Sequence, residues 1–135
     1  MKFRSYLVVV AFGLFVLNAG CSLTSTPSGT VMNSLRYLEK GEIEEAAKLF
    51  STGYINKHGG LLKVTSIEAA SARAVKEKGG YKSLGIVQEA IFEDLADVTV
   101  KAIFLDNTEI GVKFKLIKEN GEWKIDDHGL YNLQV

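Results

Sequence analysis

The chain has one cysteine, one proline and two histidines in 135 residues, and its formal net charge is zero. Each scarcity excludes something. One cysteine cannot form an internal disulfide, so stability must come from packing. Two histidines, His58 and His128, seventy positions apart and with no second cysteine, match no metal-ligand spacing, so no metal and no cofactor is expected. Without a basic surplus there is no phosphate-binding footprint, which argues against nucleic acid as a partner. The one long apolar run, twelve residues, falls short of the roughly 20 that span a bilayer, and counting on through Leu23 stretches it to a bare minimum of about 18. No G-x-S-x-G elbow and no Walker spacing occurs, so nucleophilic catalysis and phosphate cradling lack their motifs.

What is present begins with a leader. Lys2 and Arg4 precede twelve apolar residues, Tyr6 to Leu17, then Asn18, Ala19, Gly20 and Cys21. That length suits a signal-peptide core, and the positive end stays cytoplasmic, so the chain beyond the leader is exported. Removing residues 1–20 leaves 14 basic against 16 acidic residues. Neither Asn18 nor Leu17 makes a good −3 residue for ordinary signal peptidase. The run "LNAGC" resembles instead the lipobox of bacterial lipoproteins, with Asn18 where Leu, Val or Ala is usual. That resemblance implies a diacylglyceryl thioether and palmitate-type acylation on Cys21, a multi-acyl anchor to which each buried methylene adds about 0.8 kcal/mol. The plainer readings are a lone buried thiol or an uncleaved anchor. Residues 21–29, "CSLTSTPSG", then read as a flexible tether, and 30–135 as a single domain. Ser22 after the cysteine resembles the signal for the outer membrane, facing the periplasm, if the bacterium is Gram-negative.

The domain starts helical. Val31, Leu35 and Leu38 share one face, and Gly41 stops the helix. "EIEEAAKLFSTGY" predicts a second helix with Ile43, Ala46, Ala47, Phe50 and Tyr54 in a stripe. "NKHGGLLKV" reads as a loop. A third helix is expected from Thr65, with Thr65 and Glu68 as a capping box. The period then drops to two. "YKSLGIVQEAIFED" predicts a strand with Leu84, Ile86, Ala90 and Phe92 inward, and "ADVTVKAIFLD" one with Ala96, Val98, Val100, Ala102 and Phe104 inward. "EIGVKFKLIKE" places Ile110, Val112, Phe114 and Leu116 inward, and "EWKID" is a short fourth strand.

Turns then predict pairing. A three-residue connection, Asp106 to Thr108, would set Phe104 opposite Ile110 and Val100 opposite Phe114. Asn120-Gly121, the strongest short hairpin signal, would set Leu116 opposite Ile125 and Lys115 opposite Asp126. Helices followed by an antiparallel sheet make an α+β domain in which one greasy face covers the other.

"YLEKGEIEEAAKLFSTGY" and "VKFKLIKENGEWKIDD" resemble small bacterial lipoproteins of a domain-of-unknown-function family with the nuclear transport factor 2-like fold. Asn120, Gly121, Trp123, Lys124 and Ile125 match that family's closing hairpin, and the resemblance runs from Val31 to Asp127. It implies N-terminal helices on a curved four-stranded antiparallel sheet, a cystatin-like cone that often holds an open-ended pocket. It implies little about activity, because fold does not decide function.

Enzymes of that superfamily use an Asp or His with a Tyr. The candidates here are Tyr54, His58, Tyr81, Asp94, Asp126 and His128. His58 reads as loop, Asp94 as hairpin turn, Asp126 as outer face, and His128 as lying past the last strand, so no catalytic residue is assigned. Phe50, Tyr54, Phe92, Phe104, Phe114 and Trp123 are the candidate cavity lining, with plain core as the alternative. Lys101, Lys113 and Lys115 share the outer face, with Lys101 expected opposite Lys113. An anionic partner or a solvated face would each explain them. The sequence-level expectation is a lipid-anchored, non-catalytic envelope domain. It would bind a small apolar ligand or an envelope protein, with a homodimer through the sheet as a further option. The alternative is a small-molecule isomerase or hydrolase in the same cone.

Overall fold

The computed structural model describes residues 25–131. The leader, Cys21 and Ser22 lie outside the described residues. Four helices, α1 (Pro27–Lys40), α2 (Ile43–Ala47), α3 (Thr52–Lys57) and α4 (Leu61–Glu77), precede four strands. These are β1 (Tyr81–Phe92), β2 (Leu95–Phe104), β3 (Glu109–Glu119) and β4 (Glu122–Tyr131), in one antiparallel sheet ordered as in the chain. Val31, Leu35, Phe50, Val64, Val98, Phe114, Leu116 and Ile125 belong to the core between helices and sheet. The fold is therefore the α+β arrangement expected. No helix among the described residues is long and apolar enough to cross a membrane.

The helix boundaries differ from the sequence reading in three places. The tether ends early, because Thr26 caps α1 by accepting from the Gly29 N–H at 3.0 Å and Pro27 occupies the first turn, where its missing N–H costs nothing. The expected second helix is broken. Ser51 N–H donates to the Ile125 carbonyl and Ile125 N–H to the Leu49 carbonyl, both at 2.8 Å, so residues 49–51 pair with β4 instead of coiling. Ser51 Oγ then accepts from Tyr54 N–H at 3.0 Å and starts α3. The expected loop after His58 gives its second half to α4, which starts at Leu61, so Thr65 and Glu68 lie inside the helix and form no capping box.

Ser51 Oγ also donates to Asp126 Oδ1 at 2.6 Å. Ser51→Ala therefore loses a helix cap and a charge-assisted bond together, and is expected to cost about 1–3 kcal/mol in urea unfolding.

The Asn120-Gly121 turn forms as predicted, with φ of 51° and 79°, and Leu116 pairs with Ile125. The β2–β3 pairing is displaced by two residues from the expected one: Val98 faces Phe114, Val100 faces Val112 and Ala102 faces Ile110. The loop is three residues long but slides back by one. Asp106 Oδ1 accepts from Thr108 N–H at 2.9 Å, and Phe104 N–H donates to the Thr108 carbonyl at 2.9 Å, so Thr108 closes the ladder. The inward faces survive because a two-residue shift keeps parity. Lys101 consequently faces Gly111, not Lys113, and pairs with Glu109 at 2.8 Å. Lys115 lies opposite Asp97 on one side and Asp127 on the other, so acids interleave the lysines of the outer face.

Three bulges do change the faces, and the first, between Tyr81 and Ser83, sets Tyr81 opposite inward Phe104. In β1 the register shifts between Ile86 and Gln88, so Glu89 and Ile91 pair with inward Val98 and Ala96, while Ala90 and Phe92 turn outward. Phe92 is 73% exposed, which corrects its expected inward placement. In β4 the shift falls opposite Lys115 and Leu116 and leaves Asp126 as the extra residue. Lys115 therefore pairs with Asp127 instead of Asp126, and Phe114 pairs with His128. The fourth strand continues to Tyr131 rather than ending near Asp126. A bulge bends its strand and re-aims the side chains beyond it.

Candidate functional site

The helices and the concave face enclose a cavity of about 520 Å³. Leu35, Leu38 and Ser34 come from α1, Glu68, Ser71, Ala74 and Val75 from α4, and Phe104, Ile110, Val112 and Phe114 from the sheet. Phe50, Lys78, Tyr81 and His128 complete the polar and aromatic lining. The volume falls within the range of small-molecule pockets, and the wall is mostly apolar with a few convergent polar groups.

Glu68 is the unusual member. It is 2% exposed, no hydrogen bond to its carboxylate occurs among the described residues, and no fully buried side-chain oxygen there lacks a partner, so the carboxylate faces the cavity. Burial pushes its pKa from 4.5 up to about 7. Tyr81, tilted against Phe104 with ring centroids 5.2 Å apart, has its phenol pKa raised by burial first and then by the charges of Glu39 and Glu68. Tyr54 shifts the same way, through burial and then Glu68 and Asp127.

His128 reaches the cavity because of the β4 bulge. Its Nε2 lies 3.3 Å from Tyr54 Oη, and its ring sits 5.7 Å from both Phe50 and Phe114. Burial pulls its pKa below 6.5, against the raising effect of Asp127 and with a lowering one from His58. The neutral imidazole is thus favoured in an aromatic box. His58 lies tilted against Tyr54 with centroids 4.1 Å apart, so it is an aromatic neighbour of that box and not an isolated loop residue.

The expected lining residues separate into three groups. Phe50, Phe104 and Phe114 line the cavity; Tyr54 and Trp123 are buried in the core beside it; Phe92 is outside it. Of the other candidates, Tyr81 and His128 reach the cavity. Asp94 lies in the β1–β2 turn, and Asp126 is tied to Ser51 on the far side of the bulge. Sequence reasoning missed Glu68. The signal was there: Val64, Glu68, Ser71 and Val75 follow the i, i+4, i+7, i+11 spacing of one helix face. An acid in a buried stripe was masked by reading it as a cap. No group of acids, histidines or cysteine suited to a metal occurs among the described residues.

A four-helix, four-strand cone around an apolar cavity defines a small α+β domain of the nuclear transport factor 2-like kind. The chain belongs to the DUF4878 family, a domain of unknown function whose profile matches residues 19–126. Similar solved structures share the fold at low identity. A Campylobacter jejuni protein named as an NTF2-like transpeptidase superposes with TM-score 0.65 at 20% identity, over 76% of this chain and 99% of that one. A Thiobacillus denitrificans protein named for a calcium/calmodulin-dependent protein kinase type II association domain gives 0.64 at 15%, over 82% and 97%. A de novo designed protein with a curved β-sheet gives 0.52 at 14%, over 76% and 97%. No curated relative of the chain is found.

Proposed function

We propose that this protein is a lipid-anchored binding domain of the bacterial envelope, which takes one small apolar molecule into the cone. One observation carries the reading: a cavity of about 520 Å³, mostly apolar, lined by a Glu68 whose carboxylate has no hydrogen bond among the described residues. Burying a carboxylate without a partner is costly. A ligand with an amine or hydroxyl on an apolar body would supply the missing partner and fill the space. The leader and the "LNAGC" motif support the anchor on Cys21, and Ser22 supports the outer membrane if the cell is Gram-negative. An envelope protein on the outer face, or a homodimer there, is the less supported version, because the lysines of that face already have acidic neighbours.

A second reading, an isomerase or hydrolase in the same cavity, draws on Glu68, its pKa raised to about 7, lining that cavity together with a His128 whose pKa is lowered. Proton transfer at neutral pH favours such groups.

The test is a native mass spectrum of protein gently extracted from its own membrane. The expected result is a discrete small adduct on wild type that is lost from Glu68→Leu. Absence of any adduct on a folded, lipidated chain would overturn the binding reading. An adduct recovered as two interconvertible species would favour the enzyme.

A further inference from the structure

The outward β1 bulge leaves an apolar row at one end of the sheet. Phe92 pairs with Leu95, and Leu95 pairs with Ile117, all on the outer face. Phe92 is 73% exposed and Leu95 56%, and Ile91, at the same strand end but on the opposite face, is 54% exposed. Exposed aromatic and aliphatic side chains clustered at a strand end are a liability in water unless something covers them.

The same end is where the chain enters the domain. Trp123 N–H, just after the Asn120-Gly121 turn, donates to Ser25 Oγ at 2.9 Å. Ser28 N–H, in the first turn of α1, donates to Glu89 Oε2 at 3.0 Å, three residues from Phe92. Helix α1 then runs away from this end: Glu39, near its C-terminus, accepts from the Tyr81 N–H at 2.7 Å, at the start of β1. Cys21 precedes Ser25 by four residues, and that much chain spans at most about 14 Å. A lipid on Cys21 therefore holds the Phe92–Leu95 end close to the bilayer. Cavity residues Tyr81, Phe104, Ile110 and Leu130 lie at the opposite end of their strands.

We propose that the β1–β2 end of the sheet is a membrane-docking face. Ile91, Phe92 and Leu95 rest in the head-group region of the bilayer that holds the lipid of Cys21, and the cone stands with its cavity directed away from the membrane. This rests on the anchor reading above. The covering surface is lipid because the anchor presents it at high effective concentration, so even a weak apolar contact forms. Glu93 and Asp94 fill the turn between Phe92 and Leu95, so the face suits zwitterionic head groups and docks by apolar burial, not by charge.

With Cys21 occupied by lipid, an introduced cysteine is the one free thiol. Leu95→Cys and Leu105→Cys place comparable exposed sites at the two ends of the sheet. Each lipidated full-length mature protein is spin-labelled and reconstituted into phosphatidylcholine vesicles. The label at 95 is expected to collide several-fold less with a water-soluble nickel chelate, and more with oxygen, than the label at 105. Equal accessibilities on a chain whose mass shows lipidated Cys21 would overturn the docking alone. Dipolar broadening between labels at 95 that persists on dilution in lipid would also overturn it, in favour of a second copy of the chain. A mass showing unmodified Cys21 would overturn the anchor, and the docking with it.

Discussion

Glu68→Gln is expected to stabilise the domain at alkaline pH and to leave it almost unchanged in acid. The sign comes from the direction of the shift. The folded-state pKa of Glu68, about 7, lies above its ordinary value of 4.5. The folded state thus prefers the protonated carboxyl, and stability is fully present below the unfolded pKa. It is lost as pH rises through the folded one. The shift corresponds to about 3 kcal/mol, felt in full above pH of about 8. Gln keeps the shape and cannot ionise. The variant should therefore gain about 3 kcal/mol near pH 8 and less than about 1 kcal/mol near pH 5, read as the difference between two urea series. His128 opposes this trend in both proteins. Its folded pKa is lowered, so it costs stability as pH falls below 6.5, and it cancels in the difference. A constant difference across the pH range would show that Glu68 is not desolvated. A bound cationic ligand should flatten the wild-type curve, because it favours the ionised carboxylate.

Ile125→Ala is expected to cost about 2–5 kcal/mol, a large part of the 5–15 kcal/mol that stabilises a small domain. Ile125 is 0% exposed, pairs with Leu116 across β3–β4, and has backbone bonds to residues 49 and 51 on the helical side. It joins helices to sheet at the position from which the β4 bulge departs. Removing three carbons leaves a cavity there that rigid neighbours on both sides cannot close. The measurement is a thermal melt, with a drop of more than about 10 °C expected. The same chain should also lose the His128 box, visible as a rise of the imidazole pKa toward its ordinary value in an NMR titration. A drop of only a degree or two would show that Ile125 does not bridge the two layers.

Some of the architecture was legible in residue order. Gly41 ends α1 in the left-handed conformation at φ 74°, with its N–H and that of Glu42 closing on Leu38 and Tyr37. Asn120-Gly121 placed Leu116 against Ile125. The inward sets of β2 and β3 followed from strict alternation, which gave the cavity residues Phe104 and Phe114, while Phe50 came from a helical stripe that the structure breaks at residues 49–51. His128 was missed because β4 runs on to Tyr131 past its expected end, and Phe92 because of a bulge. Alternation counts residues, and a bulge inserts one that the count does not see. Beyond Val87 in β1 and beyond Asp126 in β4, every side chain exchanges faces.

The layering was determined by the sequence alone, through helical stripes and alternating strands that make an α+β cone; the leader and Cys21 carry the proposed anchor. The tertiary structure alone decided what the cone presents. Bulges arise where strands must bend around the helices, and that demand comes from packing, not from local propensity. They turned Phe92 out toward solvent and His128 in beside Tyr54. Glu68 became a buried acid lining the cavity because α4 begins four residues earlier than its apparent cap and lays that face over the cavity.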